Sequence, residues 1–173
     1  MDNRISKSYF QSNDALYLAK DLIGKTLVRN FGNGEILKAR IIETEAYLGP
    51  EDLACHASKG KTPRTSIMFE EGGLVYVYLI YGMYWMLNFV TGEKDHPQAV
   101  LIRGIEGIVG PGRIGKQLQL DKTFYGEDLD VSNRIWLEDS HIEGKILSTP
   151  RIGVDYAGEI WKNKPWRFVW NQG

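Results

Sequence analysis

Cysteine is almost missing from this sequence. Cys55 is the only one among 173 residues, so no internal disulfide can form. No Cys-x-x-Cys pair exists for zinc or redox work, and an intracellular compartment is expected: cytoplasmic and nucleoid-associated in a bacterium, nuclear in a eukaryote. Histidine is scarce too. His56, His96 and His141 stand far apart, none at His-x-x-x-His spacing, while a zinc site takes about four ligands. Neither a bound metal nor a cofactor is expected. Long apolar runs are also lacking. The best candidate, 74–90, is interrupted by Gly82, Asn88 and several tyrosines, which is unlike a span of ~18 apolar residues. The opening MDNRISKSYF has no apolar core, so no secretory signal is expected. Nor is there a surplus of charge. The net value is −1, so phosphates would be attracted only by cations gathered on one side. G-x-S-x-G and P-loop patterns do not occur.

Glycine, in contrast, is abundant. There are 19 in 173 residues, above the usual ~7%, which implies many turns and hence many strands. Length and an ordinary apolar fraction fit one domain over residues 1–173. Ala15, Leu18, Ala19, Leu22 and Ile23 form a helical stripe, with Ser12 or Asn13 as cap and Gly24 as stop. KTLVRN (25–30) and EILKARIIETEAYL (35–48) read as strands joined at Asn33-Gly34. Residues 49–66 form a long loop, of the kind that often carries function. Two strands follow in 74–90, turning at Gly82, then a strand at 99–105, a short helix at 112–120, a strand near 133–138 and a closing strand at 166–170. This pattern implies an α+β fold with a mainly antiparallel sheet.

Three stretches suggest chemistry. In IIETEAYLG (41–49), strand alternation puts Glu43, Glu45 and Tyr47 on one face. Ile42, Thr44, Ala46 and Leu48 take the other face, suited to a core. A buried glutamate beside aromatic rings has a raised pKa and serves as a general base; the alternative is ion pairing with Arg40 or Arg103. In YVYLIYGMYW (76–85), Tyr76 and Tyr78 share a face, and Tyr81-Gly82-Met83 occupies the turn. Tyrosine and methionine are odd turn residues, and apolar wedges of this type enter base steps; simple packing is the alternative, and for Tyr76 and Tyr84 the better one. Gly110, Gly112 and Gly115 spell G-x-G-x-x-G, but the hairpin-rich surroundings do not suit a dinucleotide site. A turn leading into a helix is the plain reading, with Arg113 and Lys116 as phosphate contacts. Lys59, Lys61, Arg64, Arg103, Arg151, Lys162, Lys164 and Arg167 add cations near these segments, while acids crowd 121–143.

RIIETEAYLGPEDLACHAS, KTPRTSIMF, VYVYLIYGMYWMLN, VLIRGIE and PRIGVDYAGE, followed by WRF, resemble the alkyladenine (3-methyladenine) DNA glycosylase family over about residues 9–170. The resemblance implies a single compact domain with a curved sheet and surrounding helices. It implies excision of alkylated purines from duplex DNA without a metal or a lyase step. By position, Glu45 corresponds to the base that activates water, with Arg103 and the main chain of Ile152 helping to hold that water. Tyr47 and Tyr78 correspond to the two faces of the base pocket, His56 to a contact with the flipped base and Asn88 to the pocket floor. Tyr81 corresponds to the side chain that fills the vacated stack. Met83, Arg64 and Arg113 lie where DNA contacts are expected, and Glu43 becomes a supporting group. The implied partner is double-stranded DNA carrying alkylated or deaminated purines, met by a monomer. One departure stands out: the family has a longer connection between Glu106 and the GPGR helix. Two other readings fit the residues alone, a non-catalytic binder of damaged DNA and a carboxylate-dependent nucleoside or glycoside hydrolase.

Overall fold

The computed structural model describes residues 3–172; Met1, Asp2 and Gly173, the ends of the expected domain, lie outside the described residues. Helix α1 (Lys7–Gln11) precedes α2 (Ala15–Asp21), and Asp14 caps α2 by accepting from the Tyr17 amide. The cap therefore sits one or two residues later than Ser12 or Asn13. Asp is as good a cap as either, and the intervening bend lets Phe10 bury completely.

Nine strands follow: β1 (Thr26–Asn30), β2 (Ile36–Leu48), β3 (Val75–Ile80), β4 (Tyr84–Val90), β5 (Gln98–Ile105), β6 (Ile108–Val109), β7 (Ile135–Glu138), β8 (Lys145–Thr149) and β9 (Arg167–Asn171). Helix α3 (Pro111–Gln117) lies between β6 and β7, and α4 (Gly158–Lys162) between β8 and β9. The main path runs β3-β4-β5-β2-β1-β7, with β6 on β5, β9 on β2 and β8 on β9. All these pairings are antiparallel. The result is the expected α+β class: one domain, an open curved sheet and four helices around it.

Strand β2 organises the molecule. Its first half pairs with β1, and its second half lies between β5 and β9. The register slips at Ile42 on β2 and at Arg103 on β5. Such bulges bend a strand and re-aim side chains. Here Gly104 ends up opposite Glu43, where an added Cβ would stand 3.0 Å from the Glu43 Cβ. The bulge also moves the core contact from Ile42 to Ile41, which is fully buried, while Ile42 and Leu48 are only partly so. On the core side Thr44 donates its hydroxyl to the Ala19 carbonyl, fastening α2 to β2.

The acids of 121–143 do not form an open acidic face. Glu127 pairs with Arg134, Asp128 with Lys7, Asp139 with Lys25 and Glu138 with Lys38. No helix among the described residues is long and apolar enough to cross a membrane.

Candidate active site

Glu45 projects from the middle of β2 and is fully buried. One carboxylate oxygen accepts the Tyr47 hydroxyl at 2.7 Å. The other accepts the Ile152 amide, also at 2.7 Å. The Arg103 guanidinium lies 3.8 Å away. Burial pushes the Glu45 pKa up, outweighing the opposite pulls of Arg103, the Ile152 amide, the Tyr47 hydroxyl and Arg151. A carboxylate held between fixed donors, poorly solvated and harder to ionise than usual, is suited to taking a proton.

Glu43, the other acid of this strand face, is occupied. It accepts from Arg103 Nε at 3.0 Å and from Arg167 Nε at 2.7 Å. Pairing with Arg103 is thus realised, mainly at Glu43, whereas Arg40 binds Glu106. These contacts also correct the count of available cations. Arg103 and Arg167 are engaged by Glu43, Arg151 by Asp52 and Lys162 by Glu159. None of the four forms part of a free basic patch.

Beside Glu45 lies an aromatic cavity lined by Tyr47, His56, Tyr76, Tyr78, Asn88 and Tyr156, among others. It measures about 30 Å³, room for a water or two. His56, at the start of a 3-10 turn (His56–Lys59), shares a hydrogen bond between Nδ1 and the Tyr76 hydroxyl at 3.0 Å. Its ring meets Tyr78 edge-on at 4.6 Å. Burial, with Arg64 and Lys59 nearby, holds the His56 pKa down at about 4, so the ring is neutral at pH 7. Arg64 stacks over the Tyr78 ring at 5.0 Å. Asn88 is buried, its amide donating to the Tyr76 carbonyl at 3.2 Å. Tyr76 is almost wholly buried, as the packing reading expects, while its hydroxyl also reaches His56. Nothing in the local sequence pointed to Tyr156.

At the tip of the β3–β4 hairpin, Tyr81 is 89% exposed and Met83 65%. Tyr81 has φ 54, a conformation uncommon for a bulky residue. Arg113 is exposed on α3, and it has no carboxylate partner among the described residues. The G-x-G-x-x-G glycines serve packing. A Cβ on Gly115 would lie 1.9 Å from the Trp85 carbonyl oxygen, and one on Gly112 would lie 3.0 Å from the Tyr84 ring. Two missing side chains thus let α3 rest directly on β4, next to the hairpin tip.

A larger cavity of about 790 Å³ lies elsewhere, lined by Tyr17, Lys20, His141, Ile146 and Trp166 among others. It contains none of the expected site residues. Among the described residues no three His, Cys, Asp or Glu side chains gather in a way that could hold a metal ion.

The model of the methylpurine-DNA glycosylase (MPG) family matches residues 9–109 and 107–173. The chain belongs to that family. A Methanocella arvoryzae protein is 44% identical over 92% of this chain and 88% of its own length. One from Borrelia garinii subsp. bavariensis is 45% identical over 92% of each chain. One from Psychrobacter cryohalolentis is 42% identical over 88% of this chain and 85% of its own. All three bear the provisional name 3-methyladenine DNA glycosylase. The last alignment runs to 184 residues, so that relative has residues this chain lacks. The two matched stretches of the family model meet at the turn between β5 and β6, where Glu106 and Gly107 form the whole connection.

Proposed function

We propose that the chain is a monofunctional DNA glycosylase that removes alkylated purines of the 3-methyladenine type, leaving an abasic site. The observation carrying this reading is Glu45: fully buried, held by two donors, and placed beside a pocket of tyrosine rings. Family membership and the names of the relatives agree with the reaction class.

The chemistry follows from the residues. A base within a duplex is out of reach and must be extruded, at a cost of roughly a few kcal/mol. Tyr81 offsets part of that cost by filling the stack, with Met83 beside it. Arg64 and Arg113 supply cations towards the DNA backbone. The extruded purine enters between Tyr47 and Tyr78, above Asn88, which rejects guanine at the pocket floor. Neutral His56 contacts its edge. Alkylation at a ring nitrogen makes the base cationic, so tyrosine faces favour it by ~0.5–2 kcal/mol. It is also a better leaving group. Water held by Glu45, Arg103 and the Ile152 main chain attacks the sugar carbon, Glu45 takes the proton, and the C–N bond breaks towards the purine. The same carboxylate stabilises positive charge developing on the sugar, as in glycoside hydrolysis. Glu43 supports the site by fixing Arg103. The protein acts as an intracellular monomer on double-stranded DNA.

Incubation with methylated duplex DNA, followed by chromatography of the released bases, tests this proposal. Free 3-methyladenine is expected. Tight binding to the lesion with no free base after long incubation would overturn it in favour of a binding protein.

A further inference from the structure

Against Tyr47, and not among the residues that line the cavity, lies an ion pair that the proposed chemistry does not use. Asp52 and Arg151 both have fully buried side chains. They meet through two bonds, Arg151 Nη1 to Asp52 Oδ2 at 2.6 Å and Nη2 to Oδ1 at 2.9 Å. Arg151 also donates to the Ala46 carbonyl at 2.9 Å and the Trp161 carbonyl at 3.1 Å. Its guanidinium is sandwiched between the Tyr47 ring, 4.9 Å away, and the Trp166 ring, 5.0 Å away. Asp52 accepts from the Leu48 and Ala54 amides.

A buried ion pair is costly to desolvate and is weak evidence for a gain in stability. This one even leaves Arg151 Nε buried without a hydrogen-bond partner. Its location suggests what is gained. Ile152 has a side chain that is 48% exposed, so it does not anchor its own backbone. The following Gly153 has φ 75, which gives that side of the residue little stiffness. The Ile152 amide is therefore held against Glu45 by its neighbour, Arg151. The other donor to Glu45, the Tyr47 hydroxyl, belongs to a ring that rests on the same guanidinium. We propose that Asp52 and Arg151 are positioning residues that hold both donors of Glu45 in place from behind. The inference rests on the reading of Glu45 as the water-activating base.

Charged and titratable groups face Glu45 from each neighbouring element: Glu43 and Tyr47 on β2, Arg103 on β5, Tyr78 on β3, Arg167 on β9, Arg151 in the segment before Ile152, and Tyr156. Asp52 stands behind Arg151 and screens its pull on Glu45, so variants that keep both charges isolate the loosening of the two donors. Donors to a carboxylate favour its ionised form, so losing them makes Glu45 harder to ionise. Excision requires the ionised form, and its acid limb then moves to higher pH.

The test is single-turnover excision from methylated duplex DNA across pH, with wild type, Asp52→Glu, Arg151→Lys and Glu45→Gln. Arg151→Lys keeps the charge and loses the planar fork; Asp52→Glu displaces the fork by one methylene. The folded clamp variants are expected to shift the acid limb upward by about one pH unit, so that on that limb their rate falls about tenfold below the wild type's, a tenfold change in ionisation. A loss equal at every pH, with an unmoved limb, would overturn the inference, because a purely structural defect behaves that way. Failure of both clamp variants to fold would overturn it too, since the pair would then hold the fold rather than the donors. Wild-type excision by Glu45→Gln would instead remove the reading of Glu45 beneath it.

Discussion

Glu45→Gln should separate activity from stability. The glutamine keeps both hydrogen bonds: its oxygen accepts the Ile152 amide, and its NH₂ donates to the Tyr47 oxygen, which turns from donor to acceptor. The attraction lost at 3.8 Å from Arg103 is about 4 kcal/mol at an effective dielectric near 20. Arg103 is not stranded, because Glu43 remains 3.0 Å from its Nε. Nor is that attraction a net gain for the wild type. Burial raises the Glu45 pKa despite all its partners, so the folded state binds a proton more readily than the unfolded one. A carboxyl with a raised folded pKa loses stability as pH rises from the unfolded pKa through the folded one, and glutamine removes that cost. Unfolding in urea at pH 7 should therefore show a stability equal to or above that of the wild type. Base release should fall about 10²–10⁴-fold, the usual contribution of a general base. A loss below about tenfold would refute the assignment. A clear drop in stability would refute the electrostatic argument.

Three further outcomes are expected. Tyr81→Ser should leave folding within about 0.5 kcal/mol, since the ring is almost wholly exposed, yet lower excision from duplex more than from single-stranded oligonucleotides; an equal loss on both speaks against a wedge. Gly115→Ala should cost about 1–3 kcal/mol or more, read as a lower urea midpoint, because the Trp85 carbonyl stands 1.9 Å from the new carbon; an unchanged midpoint would show that α3 does not rest on β4 as described. His56 is neutral when folded, with its pKa pushed down to about 4, while the unfolded ring protonates near 6.5. Stability should fall as pH drops through that window, by about 1–2 kcal/mol after allowing for partial exposure. His56→Gln should flatten the dependence, and an identical slope in both proteins would exclude His56 as its source.

Local pattern carried the sequence reading a long way. The face shared by Glu43, Glu45 and Tyr47 follows from strand alternation, and the Tyr81 turn follows from Gly82 between two apolar runs. The resemblance to a family came from long contiguous motifs and agreed with the sheet. What escaped was whatever depends on distant residues. The Asp52–Arg151 pair joins positions 99 apart in the chain, and no local spacing announces it. Arg167 reaches Glu43 across 124 positions. Strand β8 was not read as a strand because it is an edge with a mostly exposed face, so it lacks the apolar alternation that betrays buried strands. The bulge at Ile42 and Arg103 is likewise a product of pairing, and it decides which isoleucine is buried.

The cavity beside Glu45, with room for a water or two, is far too small for a purine. On the proposed reading its walls occupy the place a flipped base takes, so docking on DNA and filling the pocket are separate events, and the second requires the tyrosines to part. Affinity for any lesion is discounted by the fraction of molecules whose pocket stands open. A base that gains only weakly from the rings would not repay that opening and would slip back into the helix. The closed pocket would thus act as a threshold, set before any bond is broken, for how long a base must be worth holding.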